Sequence, residues 1–190
     1  SPNYSSGVND TATFNLAFSE QVNASIDIVD SAGTLVKHIY DSSAVTNPGP
    51  KVWNGKNTND VSFVADGVYT IKIVITDRAL NSITDTTKTI TVDNTAPTIA
   101  LTYSANPTKA SVMTITATYT ENVSIIGTPQ ISIDQQGSTD ITNAAMTPTL
   151  DPKVWTYPYT VTAANAPTYV DGTATVSLST VTDAAGNNVA

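Results

Sequence analysis

The stretch DGVYTIKIVITD, Asp66 to Asp77, opens on a turn signal and then alternates. In an extended strand Tyr69, Ile71, Ile73 and Ile75 share one face, and Asp77 continues that face beyond its apolar part. A second stretch, DGTATVSLSTVTD from Asp171 to Asp183, repeats the plan. Outward from this pair, FNLAFSEQV (Phe14 to Val22) matches ITATYTENV (Ile115 to Val123), and KVWNG from Lys51 matches KVWTY from Lys153. The offsets grow from 101 (Phe14 to Ile115) through 102 (Lys51 to Lys153) to 105 (Asp66 to Asp171). Landmarks in one order with slowly growing offsets predict two copies of one domain, the second with short loop insertions. SPNY at Ser1 and APTI at Ala96 give both copies a proline near the start.

Composition agrees with a sheet protein. Charged residues are 13% of the 190, about half the usual quarter. Thr, Ser, Asn, Val and Ile fill the difference, and β-branched side chains suit a pleated, half-buried surface. A net charge of −8 with eight Lys plus Arg leaves no basic stripe for phosphates, so nucleic acid is an improbable partner and a cation a better one. The absence of Cys excludes disulfides, thiolate metal sites and a cysteine nucleophile. No run approaches the roughly 18 apolar residues of a membrane span, and Ser1 follows no charged or apolar leader. The reading is a soluble piece.

Each copy holds short alternating segments separated by turn signals such as Ala65-Asp66-Gly67 and Ala185-Gly186-Asn187, with no helical period. That spacing predicts an all-β chain made of two tandem immunoglobulin-like antiparallel β-sandwiches, residues 1–94 and 95–190. The first copy, with VWNGKN, FVADGVYTIKI and TDRALN, resembles the FlgD-type bacterial Ig-like domain. The second, with TYTENV and VTDAAGNNV, resembles the Ig-like modules of bacterial surface-layer proteins, adhesins and secreted glycoside hydrolases, where DNTAP is a common junction. The resemblance implies an extracellular or cell-surface location. It also implies a non-catalytic structural or adhesive module of a prokaryotic surface, surface-layer or filament protein, whose partners are neighbouring domains or copies of the assembly. The alternative it leaves open is a carbohydrate-binding accessory module of an extracellular hydrolase.

Parity places the carboxylates. Phe14, Leu16 and Phe18 share a face that Glu20 continues, as Asp77 continues the later strand, so both should converge at the mouth of the first core. In the second copy Ile115, Ala117 and Tyr119 lead to Glu121, and a bulge between Leu178 and Val181 would return Asp183 to the same end. The polar knot Asp93-Asn94-Thr95-Ala96-Pro97 should emerge beside that second mouth. Asp93, Asn94, Glu121, Asp183 and Asn187 then form a candidate interdomain calcium set of hard oxygens, with Glu20 and Asp77 a weaker one. The bland reading is that such residues cap loop amides without metal.

The single histidine, His38, alternates outward in LVKHIYD and has no triad partner at useful spacing. Trp53 and Trp155, matched through KVW, read as shared core residues. Trp155, Tyr157 and Tyr159 at period two are the candidate polysaccharide platform, and the same spacing serves a core face. Asn3, Asn9, Asn23 and Asn122 carry the glycosylation triplet. Finally, TTKTITV before Asp93 reads as a closing strand of the first copy, while the seven residues after Asp183 predict a short or missing counterpart in the second.

Overall fold

The computed structural model describes residues 10–106, 108–121, 123–124, 128–136, 139–163, 165 and 170–189. The chain divides into two compact units, Ser1–Thr95 and Ala96–Ala190. Among the described residues both are built of antiparallel β-structure without helix, so none is a helix long and apolar enough to cross a membrane.

Unit 1 contains β1 (Ala12–Phe14), β2 (Val22–Val29), β3 (Leu35–Val45), β4 (Lys51–Trp53), β5 (Gly67–Asp77) and β6 (Ser82–Val92). The strands β3-β2-β5-β6 form one sheet, and β1 pairs with β4 in the other. Between them lie Ile26 and Ile28 of β2, Tyr69 and Ile71 of β5, Trp53 of β4 and Val92 of β6, all buried, with Phe14, Leu16 and Ile90 packed against them. Each fully buried Ile or Val contributes on the order of 1.5–3 kcal/mol, so the alternation in β2 and β5 specifies which face turns inward. On the outer face of β2, Asp27 stands opposite His38 of β3, and His38 Nδ1 lies 2.7 Å from Asp27 Oδ1. The pairing of β5 with β6 slips once between Ile71 and Ile73, where Asp85 Oδ1 accepts bonds from Thr87 N and Oγ1.

Unit 2 contains β7 (Ile99–Tyr103), β8 (Ser111–Tyr119), β9 (Val123–Ser124), β10 (Gln130–Asp134), β11 (Ile141–Ala145), β12 (Thr147–Pro148), β13 (Val154–Val161), β14 (Thr175–Leu178) and β15 (Thr182–Asp183). Its sheets run β12-β13-β8-β7 and β11-β10-β14, with β15 paired to β9. Alternate residues of β8 (Met113, Ile115, Ala117, Tyr119) meet Ile131 and Ile133 of β10 in a second buried core. Val176 and Leu178 face inward from β14, and after a break at Ser179–Thr180 the inward positions become Val181 and Asp183.

The KVW match does not survive in the pairing. Trp53 stands opposite Ala12, whereas Trp155 stands opposite Ala117. With Phe14 set against Ile115, the counterpart of Ala12 is Met113, and the residue opposite Met113 is Tyr159. Tyr159 therefore holds the place of Trp53, and Trp155 sits four positions earlier on its strand. The lysines differ in the same way: Lys51 Nζ bonds Pro48 O and lies over the Tyr40 ring, while Lys153 Nζ bonds Thr120 O.

Candidate functional site

The singled-out carboxylates are mostly turned onto their own backbone. Asp183 N donates to Asn187 O, and Gly186 N donates to Asp183 O, closing a three-residue hairpin loop whose Gly186 has φ 93°. Asp183 Oδ1 accepts from Ala185 N at 2.8 Å and Asn187 N at 2.9 Å, and its Oδ2 accepts from Asn187 Nδ2 at 2.7 Å. Both residues are buried. Asp77 builds the same loop in unit 1, with Asn81 as partner and Leu80, φ 68°, at the left-handed position. The Asn81 bonds hold the Asp77 pKa below the ordinary carboxylate value. A third copy runs from Asp30 to Thr34 with Gly33 at φ 80°. One device recurs three times: an Asp that gathers loop amides, followed three residues later by a left-handed residue.

Within unit 2, carboxylate oxygens of Glu121 and Asp183 approach within 4.8 Å. Two like charges at that range repel, and the three donors around Asp183 offset part of the cost. In unit 1, Glu20 is exposed at the bend before β2 and lines, with Phe18, Val22, Ile75, Asp77 and Asn81, an open pocket of about 420 Å³.

The polar knot has an anchor that the sequence did not announce. Asn94 N and Nδ2 both donate to Asp66 Oδ1, at 2.7 and 3.0 Å, and Thr95 Oγ1 donates to Asp66 Oδ2. Asp93 Oδ1 accepts from Thr95 N. Partial burial works against the charge of Asp66, yet the Thr95 and Asn94 bonds prevail and its pKa lies below the ordinary value. Asp66 thus ties the exit of unit 1 to the turn that starts β5. The signal was present as Asp-Gly, which reads as a turn and not as a clamp on a segment 28 residues away.

Trp155, Tyr157 and Tyr159 share the inward face of β13 and are half-buried against the core of unit 2. Tyr159 Oη donates to Gln135 Oε1, and Trp155 Nε1 is buried without an acceptor among the described residues. Tyr157 and Tyr159 instead line an open cavity of about 740 Å³ between the two sheets of unit 2, together with Met113, Ile133, Ala174 and Val176. It lies at the end of unit 2 where β8 begins, away from Asp183 at the end of the path through β14 and β15. The corresponding end of unit 1 holds Trp53, whose ring meets Tyr69 edge-on at 5.8 Å and whose Nε1 donates to Lys56 O. Tyr69 Oη donates to Ala65 O, four residues upstream, in the manner of a tyrosine corner. Asn23 is exposed and its Oδ1 accepts from Ala44 N, while Asn3, Asn9 and Asn122 lie outside the described residues. Compared with known proteins, the chain matches no family model and no curated sequence.

Proposed function

We propose that the chain is a non-catalytic structural or adhesive module of an extracellular prokaryotic surface assembly, built of two immunoglobulin-like sandwiches in tandem. The observation that carries this reading is the recurrent Asp turn. Asp30, Asp77 and Asp183 spend their oxygens on loop amides, Asp66 clamps a chain exit, and the sole histidine is tied to Asp27 on an outer sheet face. Polar chemistry goes into holding loops, as a spacer under load requires. In a pulling experiment on the whole chain we expect two separate cooperative unfolding steps. Retention on a polysaccharide gel that Trp155→Ala abolishes would replace this reading by the carbohydrate-binding alternative.

Calcium enters the proposal at Glu121 and Asp183, whose paired oxygens suit a hard cation. It would reinforce a turn that already closes on its own hydrogen bonds. Millimolar calcium is expected to raise the melting temperature of unit 2, with an affinity on the order of 10⁻⁴ to 10⁻³ M. An identical melt in calcium and in chelator removes calcium and leaves the module reading intact.

A further inference from the structure

Two asparagines on either side of β4 share a local geometry and differ in what can follow from it. Asn47 Oδ1 accepts from Gly49 N and Asn54 Oδ1 accepts from Lys56 N, each at 3.2 Å, so each carboxamide folds over the peptide after it. Asn47 is followed by Pro48, whose nitrogen carries no hydrogen. Asn54 is followed by Gly55, in the only Asn-Gly pair of the chain. Gly55 has no Cβ to shield its nitrogen and stands at φ 77°, in the left-handed region. Gly55 is buried but Asn54 is exposed, so water reaches the pair from the asparagine side. The Lys56 N–H already points at Asn54 Oδ1, the atom on which negative charge develops when a nucleophile adds to Cγ. Asn81, Asn94 and Asn187 are held differently: each donates its Nδ2 to a carboxylate, of Asp77, Asp66 and Asp183 in turn, which fixes the nitrogen that would have to leave. Each is also followed by a residue with a side chain, Ser82, Thr95 and Asn188.

We propose that Asn54 is a self-modification site, at which the folded chain converts its own amide to aspartate and isoaspartate. Gly55 N gives its proton to hydroxide and attacks Asn54 Cγ. The Cγ–Nδ2 bond breaks, the nitrogen leaves as ammonia, and a five-membered imide closes between the side chain of Asn54 and the nitrogen of Gly55. Water then opens the imide at one of two bonds. Cleavage at Cγ leaves an ordinary aspartate at position 54, and cleavage at the main-chain carbonyl carbon leaves isoaspartate, with Cβ now part of the main chain. One water is consumed and one ammonia released. The loop lies beside the ring that stops the core of unit 1: Trp53 Nε1 donates to Lys56 O at 2.8 Å, and Gly55 O accepts from Val64 N at 2.9 Å. An added main-chain carbon between Trp53 and Gly55 shifts both bonds out of register and loosens that ring. The reaction needs no partner and is independent of the surface-module reading.

The test holds the whole chain in warm, mildly alkaline buffer and digests samples with trypsin, which cuts after Lys51 and Lys56 and frees Trp53 and Asn54 together in one short peptide. That peptide is expected to give way to two products, each with a hydroxyl in place of the amide NH2, one of them a substrate for an isoaspartate methyltransferase. The tryptic peptide from His38 to Lys51, which holds Asn47, should stay unchanged. As isoaspartate accumulates, the melting temperature of unit 1 should fall by roughly 4–8 °C, the shift for about one hydrogen bond lost from a domain of this size, while that of unit 2 holds. Asn54→Gln, whose longer side chain closes no five-membered ring, should come through the same incubation with its melting temperature intact. Chain unfolded in urea is the positive control. If it converts while the folded chain does not over the same interval, the loop protects Asn54 and the proposal is overturned. Conversion of the folded chain spread evenly over the other asparagines overturns it as well.

Discussion

At one end of unit 1 the core is stopped by Trp53, 1% exposed, edge-on to Tyr69 and bonded through its indole to Lys56 O. The equivalent end of unit 2 has Tyr159 opposite Met113, Ala174 in place of Tyr69, and a cavity of about 740 Å³. Two copies of one strand plan have thus put their tryptophans to different uses, and the difference lies in strand register and not in residue identity. Trp155 packs only half-buried, with an indole nitrogen that finds no acceptor among the described residues.

The comparison is broken most forcefully by truncating both tryptophans. Trp53→Ala removes a closed, hydrogen-bonded ring and is expected to cost unit 1 about 3–5 kcal/mol. Trp155→Ala should cost unit 2 about half of that, because less apolar area is lost and a buried orphan donor goes with it. Urea unfolding that resolves the two units measures both losses. Equal losses would mean that the two rings do the same work despite their different partners.

A second pair sharpens the contrast between the repeated Asp turns. Asp183→Ala leaves three buried donors without their acceptor, which should cost unit 2 about 2–3 kcal/mol. Asp77→Ala removes the same kind of acceptor from an exposed loop where water substitutes, so a clearly smaller loss than that of Asp183→Ala is expected. Should Asp183→Ala stabilise unit 2 instead, repulsion from Glu121 outweighs the turn bonds.

How much of this was legible follows from what alternation can and cannot encode. The inward faces of β5 and β8 were readable because a slip of one residue exchanges core for solvent, and the apolar pattern forbids it. A slip of four does not change face. Setting Trp155 against Trp53 or four positions away puts the same parity inward, so the periodic signal was blind to the error, and the shared KVW tripeptide pulled the alignment the wrong way. Asp77 and Asp183 were legible as turn or ligand candidates, since the spacing Asp-x-x-x-Asn is local, while Asp30, whose turn ends on Thr34, was not singled out. Asp66 was not legible as a clamp, because its partners, Asn94 and Thr95, lie at the other end of β6 and are brought to it only by the pairing of Gly67 with Val92. The cavity was foreshadowed by the small residues Gly172 and Ala174, which stand where the first copy has Gly67 and Tyr69.

The left-handed position of the turn provides a smaller test. Gly33 and Gly186 occupy it without penalty, while Leu80 occupies it at φ 68° with its side chain in solvent. An L-residue with a Cβ is disfavoured there by about 1–2 kcal/mol, part of which a glycine gives back through unfolded-chain entropy. Leu80→Gly should therefore stabilise unit 1 by about 0.5–1 kcal/mol, and Gly186→Leu should destabilise unit 2 by a similar or larger amount. A loss of stability in Leu80→Gly would show that the exposed leucine makes contacts that outweigh its backbone strain.

The smallest effect concerns acid and falls on the exit clamp. Burial raises the pKa of Asp66, the Thr95 and Asn94 bonds lower it, and the bonds win, so the folded value lies below the ordinary 3.8. Asp77 and Asp85, held by bonds from Asn81 and Thr87, shift the same way and belong to the same unit. Folding therefore favours the charged forms. Their contribution is complete above pH 3.8 and fades as pH falls through that value towards the lower folded ones. These groups are largely solvated, so screening keeps the effect small. Between about pH 5 and pH 2 the melting temperature of unit 1 should drop, and Asp66→Asn, which keeps an acceptor but cannot titrate, should make that drop shallower. The variant starts lower at neutral pH, because a neutral carbonyl accepts the Asn94 and Thr95 donors more weakly than a carboxylate does. If the two proteins lose stability with the same slope, the Asp66 bonds are formed with equal strength in the unfolded chain or the clamp is open in solution, and the contrast between a tied exit and a free one disappears.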